Sequence, residues 1–162
     1  MPLVERLRSL FDVRHIPYSL TSHRTAVRAS ELASVEHLPA WEVAKTVVVF
    51  GDNKFHLVVV PGDRQVDLYE VETALDLKHV RLATESELAD LFPDCELGAM
   101  PPVGILYDLP VYLDSDLANE GMITFSAGSH TECVHMRTED FRKLTQPKIV
   151  SLARLQVAGF GW

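Results

Sequence analysis

The sequence predicts an α/β fold of the mixed α+β kind: one domain over residues 1–162, built on a mixed, mostly antiparallel sheet with helices packed around it. Three observations predict it. Val47-Val48-Val49-Phe50 and Phe55, Leu57, Val58, Val59 and Val60 are two β-branched and aromatic runs joined by Gly51-Asp52-Asn53-Lys54, which has turn chemistry. Helical and extended patterns interleave along the rest of the chain without a clean βαβ repeat, which points to a mixed sheet with helices packed around it. At 162 residues, 47% of them hydrophobic, the chain has the length of one domain and enough apolar side chain to fill its core.

Taken in order, Leu3, Leu7, Leu10 and Phe11 recur at helical spacing, and Pro17 opens an extended stretch from Tyr18 to Thr21. Ala29 to His37 carries Leu32, Ala33 and Val35 on a helical pattern that stops before Pro39. The hairpin follows, and its continuous apolar runs suit central strands covered on both faces. Beyond Pro61 and Gly62, Val66 to Leu77 reads as a helix and Val80 to Leu82 as a short strand. Thr84 to Leu91 reads as a second helix, opened by a capping box in which Thr84 and Glu87 each satisfy an orphan backbone N–H. Gly98 to Gly104 is too rich in proline and glycine for a regular element. Val111 to Leu113, Ile123 to Ser126 and Glu132 to Met136 read as three strands, and Thr138, followed by Glu139 and Asp140, opens a helix to Leu144.

Bulk properties exclude several function classes. Met1 to Leu10 mixes Glu5, Arg6 and Arg8 with isolated leucines, so no apolar run there serves as a signal peptide or membrane span. A soluble, cytoplasmic protein with no membrane partner is expected. Cys95 and Cys133 have neither the number nor the spacing of a disulfide framework and read as reduced thiols. A net charge of −8 argues against a DNA-binding or general nucleic-acid coat, because such affinity comes from displacing counterions with Lys and Arg. Any RNA contact has to be local.

Three segments carry candidate chemistry. Lys45 sits where the first valine run begins, and reads either as a snorkelling surface lysine or as a compact cation on a rigid strand, suited to a phosphate or ribose. Gly98-Ala99-Met100-Pro101-Pro102-Val103-Gly104 reads either as a tight connection or as a loop whose glycines hold bare N–H groups toward a carbonyl oxygen. Phe125-Ser126-Ala127-Gly128-Ser129-His130 runs a strand into small residues and an imidazole, which either rests in a hydrogen bond or orients a water or amino group. Ser129 lacks the Gly-x-Ser-x-Gly context of a nucleophile. His130, Cys133 and His135 include good metal ligands, but His130 lies beyond the strand on which the other two share a face and no fourth ligand has a recognisable spacing, so no metal is expected. No phosphate loop, dinucleotide fingerprint or His-Glu-x-x-His occurs, and no cofactor is expected.

In order, these segments resemble the YbaK/ProX family of aminoacyl-tRNA deacylases, which also occurs as an editing insertion in some prolyl-tRNA synthetases. The resemblance runs from about Tyr18 to Leu144. It rests on Tyr18 to His23, Ala44-Lys45-Thr46, Val58-Val59-Val60-Pro61-Gly62-Asp63, Arg81-Leu82-Ala83, Gly98 through Gly104, Val111-Tyr112-Leu113-Asp114, Phe125 through His130, and Asp140-Phe141. No single piece is specific, whereas the ordered set is.

The resemblance implies hydrolysis of the ester of a small amino acid on tRNA, with the tRNA 3′ end as partner and prolyl-tRNA synthetase as a further one. Lys45 would anchor the tRNA end, N–H groups of the Gly98 and Gly128 turns would meet the carbonyl oxygen, and His130 would orient the amino group or water. Thr46, Met100, Pro101, Pro102, Gly104 and Ser129 would contact substrate. Gly128-Ser129-His130 looks like the branch that clears alanine from tRNA(Pro), but Thr46 stands where that branch often has asparagine. Two other classes stay open: a noncatalytic module that recruits aminoacyl-tRNA or a synthetase, and a regulatory protein binding a free amino acid or nucleotide.

Overall fold

The computed structural model describes residues 2–155. Its centre is the predicted hairpin, β2 (Ala44–Gly51) and β3 (Lys54–Pro61), paired antiparallel from Ala44↔Pro61 to Gly51↔Lys54. Asp52 and Asn53 both take positive φ at the turn, the backbone that a two-residue hairpin connection demands. Alternation along β3 explains its unbroken apolar run: Leu57 and Val59 enter one cluster, Val58 and Val60 another, and all four are fully buried.

The five-stranded sheet runs β5-β2-β3-β6-β9, adding β5 (Arg81–Leu82), β6 (Val111–Asp114) and β9 (Lys148–Val150), with β6 and β9 parallel to their neighbours. A three-stranded antiparallel sheet holds β1 (Ser19–Ser22), β8 (Glu132–Arg137) and β7 (Met122–Ser126) in that order. A single parallel bridge, Val43↔Thr124, joins the two. Apolar residues of both sheets meet α1 (Leu3–Val13) and α6 (Thr138–Thr145) in the largest cluster, around Leu7, Phe11, Leu57, Phe125 and Phe141. The mostly antiparallel character holds, but the strands are divided among separate ladders rather than drawn into one sheet.

Two expectations at element boundaries change. The helix expected from Val66 to Leu77 is split: Arg64–Val66 is a strand, β4, and the helix, α3, is Leu68–Leu75, opened by Asp67 Oδ1, which accepts from the N–H groups of Tyr69 and Glu70. The partner that makes β4 a strand is β10 (Ala153–Leu155), some ninety residues later, so no local pattern announces it. β9 and β10 lie in the tail after Gln146, to which no element was assigned from sequence. A one-turn helix, α5 (Ser115–Ala118), is likewise new. The other helices, α2 (Ala29–Val35) and α4 (Glu85–Leu91), fall where expected. The Thr84 capping box is formed, with Thr84 N–H donating to Glu87 Oε1 at 2.8 Å and Glu87 N–H to Thr84 Oγ1 at 3.2 Å.

Asp114 fastens the tail to the sheet. Its buried carboxylate accepts from Asp116 N–H at 3.0 Å and from the buried Leu152 N–H at 2.9 Å. Asp114→Ala leaves the Leu152 donor unsatisfied, and a loss of about 2 kcal/mol is expected in denaturant unfolding. A change under about 0.5 kcal/mol would show that water replaces the carboxylate.

Candidate functional site

β5 pairs with β2 only at Val49 and Phe50 and β7 touches it only at the Val43↔Thr124 bridge, so among the described residues the outer edge between them, at Thr46, is bare. The backbone direction at that edge follows from one bond. Val48 C=O accepts from Ala83 N–H at 2.9 Å, so Val48 faces β5. Strand residues two apart face the same way, which turns the N–H and C=O of Thr46 toward the side that β5 no longer reaches. A cleft of about 460 Å³ opens there, lined by Ala44, Lys45, Thr46 and Val47 of β2, the start of α2, Gly62, Gly98, Met100 and Ser126. A more open hollow of about 610 Å³ beside α6 contains none of the residues nominated from sequence.

Lys45 brings an ammonium to this cleft. It is half-buried, and Nζ donates to the Arg64 carbonyl at 2.7 Å, its only hydrogen bond among the described residues. Two of its three donors are therefore spare. Burial pushes its pKa below the ordinary lysine range, with the Asp63 carboxylate partly opposing the shift. A cation held this way gains by meeting an anion.

Gly98 supplies backbone. Its φ of +85° is a conformation that side-chain-bearing residues rarely adopt, and its N–H and that of Met100 have no acceptor among the described residues. Both residues line the cleft. Lys45 and Thr46 of β2 and Gly98 and Met100 of the later loop, all four nominated from sequence, thus line one cleft.

The second turn has a different part from the one expected. Gly128 N–H donates to Ala99 C=O at 2.9 Å, so it is not free for a substrate oxygen, and Gly128 C=O accepts from Glu96 N–H at 2.8 Å. His130 adds two more links, its N–H donating to Glu96 Oε2 at 3.0 Å and its Nε2 lying 2.8 Å from Leu97 C=O. The 128–130 turn is therefore a brace behind the Gly98 turn. Nε2 must be the protonated nitrogen to donate to Leu97, while Nδ1 is buried and has no partner among the described residues.

The remaining nominated residues do not line the cleft. Ser129 Oγ is engaged within its own turn, donating to Glu132 Oε1 at 3.2 Å. Pro101 and Pro102 are buried in the loop, and a Cβ on Gly104 would lie 2.1 Å from Leu109 C=O, so this glycine permits a close backbone approach rather than substrate contact. Sequence reasoning also left out cleft residues, Gly62, Arg28 and Ser126 among them. Gly62 has Ala40 C=O 2.8 Å from the position of a Cβ, Arg28 is an exposed second cation, and Ser126 ends β7. Gly62 stood within the segment Val58 to Asp63, but nothing in the local pattern ties Arg28 to the hairpin.

A family model described as aminoacyl-tRNA editing domain matches residues 23–144, which span every segment of this cleft. The chain belongs to that family. Editing detaches an amino acid from tRNA by hydrolysis, so this editing domain is a deacylase by class. Among curated relatives it is 24% identical to the multifunctional Ser/Thr-tRNA deacylase ProXp-y of Escherichia coli (strain K12), over 93% of this chain and 92% of that protein. It is 31% identical to a proline–tRNA ligase of Bacillus subtilis (strain 168), over 73% of this chain but 20% of the ligase. Among solved structures, a candidate trans-editing enzyme for prolyl tRNA synthetase superposes with a TM-score of 0.82 at 23% identity, covering 95% of this chain and 98% of that one. The hypothetical protein APE2540 gives 0.84 at 18% identity, covering 92% of this chain and 99% of that one. Both structures support the fold.

Proposed function

We propose that this protein acts in trans on mischarged tRNA, hydrolysing the ester of a small amino acid, with alanine on tRNA(Pro) as its principal substrate. One observation carries the proposal: a single cleft joins a half-buried ammonium with spare donors, an unpaired strand edge and a left-handed glycine whose amide lacks an acceptor. Lys45 holds a phosphate or ribose oxygen of the terminal adenosine. The Gly98 and Met100 amides receive the carbonyl oxygen as it gains charge during attack by water. Preorganised donors of that kind supply a large share of acyl-transfer catalysis, and an aminoacyl ester is already activated. His130 positions the Gly98 turn through Leu97.

Selectivity follows from size, since the buried Met100 closes part of the cleft. One methylene separates substrates by only about 1–3 kcal/mol, so serine remains a competitor for an alanine site. Serine has a specific point in its favour: Thr46 lines the cleft and its hydroxyl has no hydrogen-bond partner among the described residues, and the E. coli relative is named for Ser/Thr-tRNA. Lys45 and Arg28 are the cleft's cations on a chain of net charge −8, so a partner such as prolyl-tRNA synthetase supplies the remaining tRNA affinity.

A single-turnover panel of Ala-, Ser-, Thr-, Cys- and Pro-tRNA, each on cognate and proline acceptors, tests the reading. Ala-tRNA(Pro) should react fastest and Ser-tRNA within about 100-fold of it. Faster release of serine or threonine reassigns the acyl group to hydroxylated residues. No release at saturating protein makes the chain a recruiting module.

A further inference from the structure

At the C-terminal end of α2, the helix whose start lines the cleft, four ligand-type atoms meet that the deacylation chemistry does not use. The antiparallel register of β1 and β8 sets Thr21 opposite Cys133 and Ser19 opposite His135, so Thr21 projects on the face of β8 that carries Cys133 and His135. Glu36, the residue that ends α2, reaches the same face. Glu36 Oε1 lies 2.8 Å from Cys133 Sγ and 3.3 Å from His135 Nε2, and these two are 3.5 Å apart. Thr21 Oγ1 is 3.1 Å from both Cys133 Sγ and His135 Nε2 and also bonds Glu36.

We propose that Glu36, Cys133 and His135 bind a borderline-soft divalent cation, Zn²⁺ in the first instance, with the Thr21 hydroxyl or a water in the fourth position. A tetrahedral zinc with bonds of about 2.0–2.3 Å keeps its ligand atoms roughly 3.3–3.7 Å apart. The His135–Cys133 and His135–Glu36 edges already have that length, and the Glu36–Cys133 edge needs to open by less than 1 Å. Thiolate, imidazole and carboxylate together favour zinc over magnesium or calcium, which prefer all-oxygen shells.

The surroundings fit a bound ion. His135 Nδ1 is 2.7 Å from the buried Thr124 Oγ1, and donation across that contact turns the Nε2 lone pair to the cluster, as outer-shell partners do for ligating histidines. Cys133 is fully buried against Ala26, Leu32, Ala33 and Val43, while the Glu36 and His135 side chains remain 15% and 17% exposed and provide a way in from solvent. Binding forms Zn–S, Zn–N and Zn–O bonds and sends the thiol proton to solvent. His130 is no part of this group, and its place is taken by Glu36, 97 and 99 residues away from Cys133 and His135 in sequence and so invisible to a spacing rule. The ion would tie β1, β8 and the end of α2 together, and the start of α2 walls the cleft. The proposal stands independently of the deacylation reading.

Titration of the chelator-stripped, reduced full chain with Co²⁺ alone tests it. One cobalt per chain is expected, with a thiolate-to-cobalt charge-transfer band and tetrahedral d–d absorption, both removed by competing Zn²⁺. Saturating Zn²⁺ should raise the melting midpoint by about 5 °C. Cys133→Ser should abolish the charge-transfer band and Cys95→Ser should leave it. Should Cys133→Ser not fold, Glu36→Gln gives the decisive reading: at least a 10-fold loss of cobalt affinity with native circular dichroism supports the site, and unchanged affinity overturns it. A folded native chain without the band, or a band lost in Cys95→Ser, also overturns it.

Discussion

Lys45→Ala is expected to slow single-turnover release of the amino acid by about 10²-fold, the cost of losing the cation that positions the terminal adenosine and with it the ester. Stability should change little, because β2 and β3 pair through backbone at Lys45↔Val60 and, among the described residues, the ammonium hydrogen-bonds only the Arg64 carbonyl. Lys45→Arg should not restore the rate: a planar fork does not occupy the space of a compact ammonium. The pH dependence has a definite sign. Burial depresses the Lys45 pKa, so in the interval between its folded and ordinary values the native state binds fewer protons than the unfolded chain. The burial penalty is present at neutral pH and relieved as pH rises through the folded value, which makes stability rise there. Release that depends on the ammonium should fall over the same interval, and Lys45→Ala should lack both trends. A variant with an undiminished rate would hand the anchoring task to Arg28, the other cation lining the cleft.

What could be read from the sequence was whatever short-range chemistry decides. The hairpin was legible because β-branched runs and an Asp-Asn turn agree over a dozen residues, and the α4 start because Thr84 and Glu87 satisfy each other locally. Lys45, Thr46, Gly98 and Met100 were nominated through an ordered resemblance, and all four line one cleft. β4 was not legible, since Arg64 to Val66 becomes a strand only through Ala153 to Leu155. The Glu36–Cys133–His135 cluster was not legible for the same reason: Cys133 and His135 share a strand, but Glu36 arrives from the end of a distant helix.

Gly128 shows the limit most clearly, because a glycine with positive φ looks the same in sequence whether its amide serves a substrate or another loop. The two left-handed glycines of the site are therefore expected to separate by experiment. At Gly98, φ +85°, an added Cβ meets nothing closer than His130 Cε1 at 3.7 Å. Gly98→Ala should cost only the backbone strain, about 1–2 kcal/mol, yet slow release by about 100-fold as the turn relaxes and carries its amide away from the carbonyl oxygen. At Gly128, φ +97°, a Cβ would stand 2.3 Å from Leu3 Cδ2, so strain and overpacking against α1 combine. Gly128→Ala should cost about 2–4 kcal/mol in denaturant unfolding. Its rate should fall less than that of Gly98→Ala once measured where both variants are folded, because the Gly128 amide is spent on Ala99 and not on substrate. The reverse ordering, a stable Gly128→Ala with the greater loss of rate, would mean that the Ala99 bond breaks when substrate enters and that both turns contribute donors to the carbonyl oxygen.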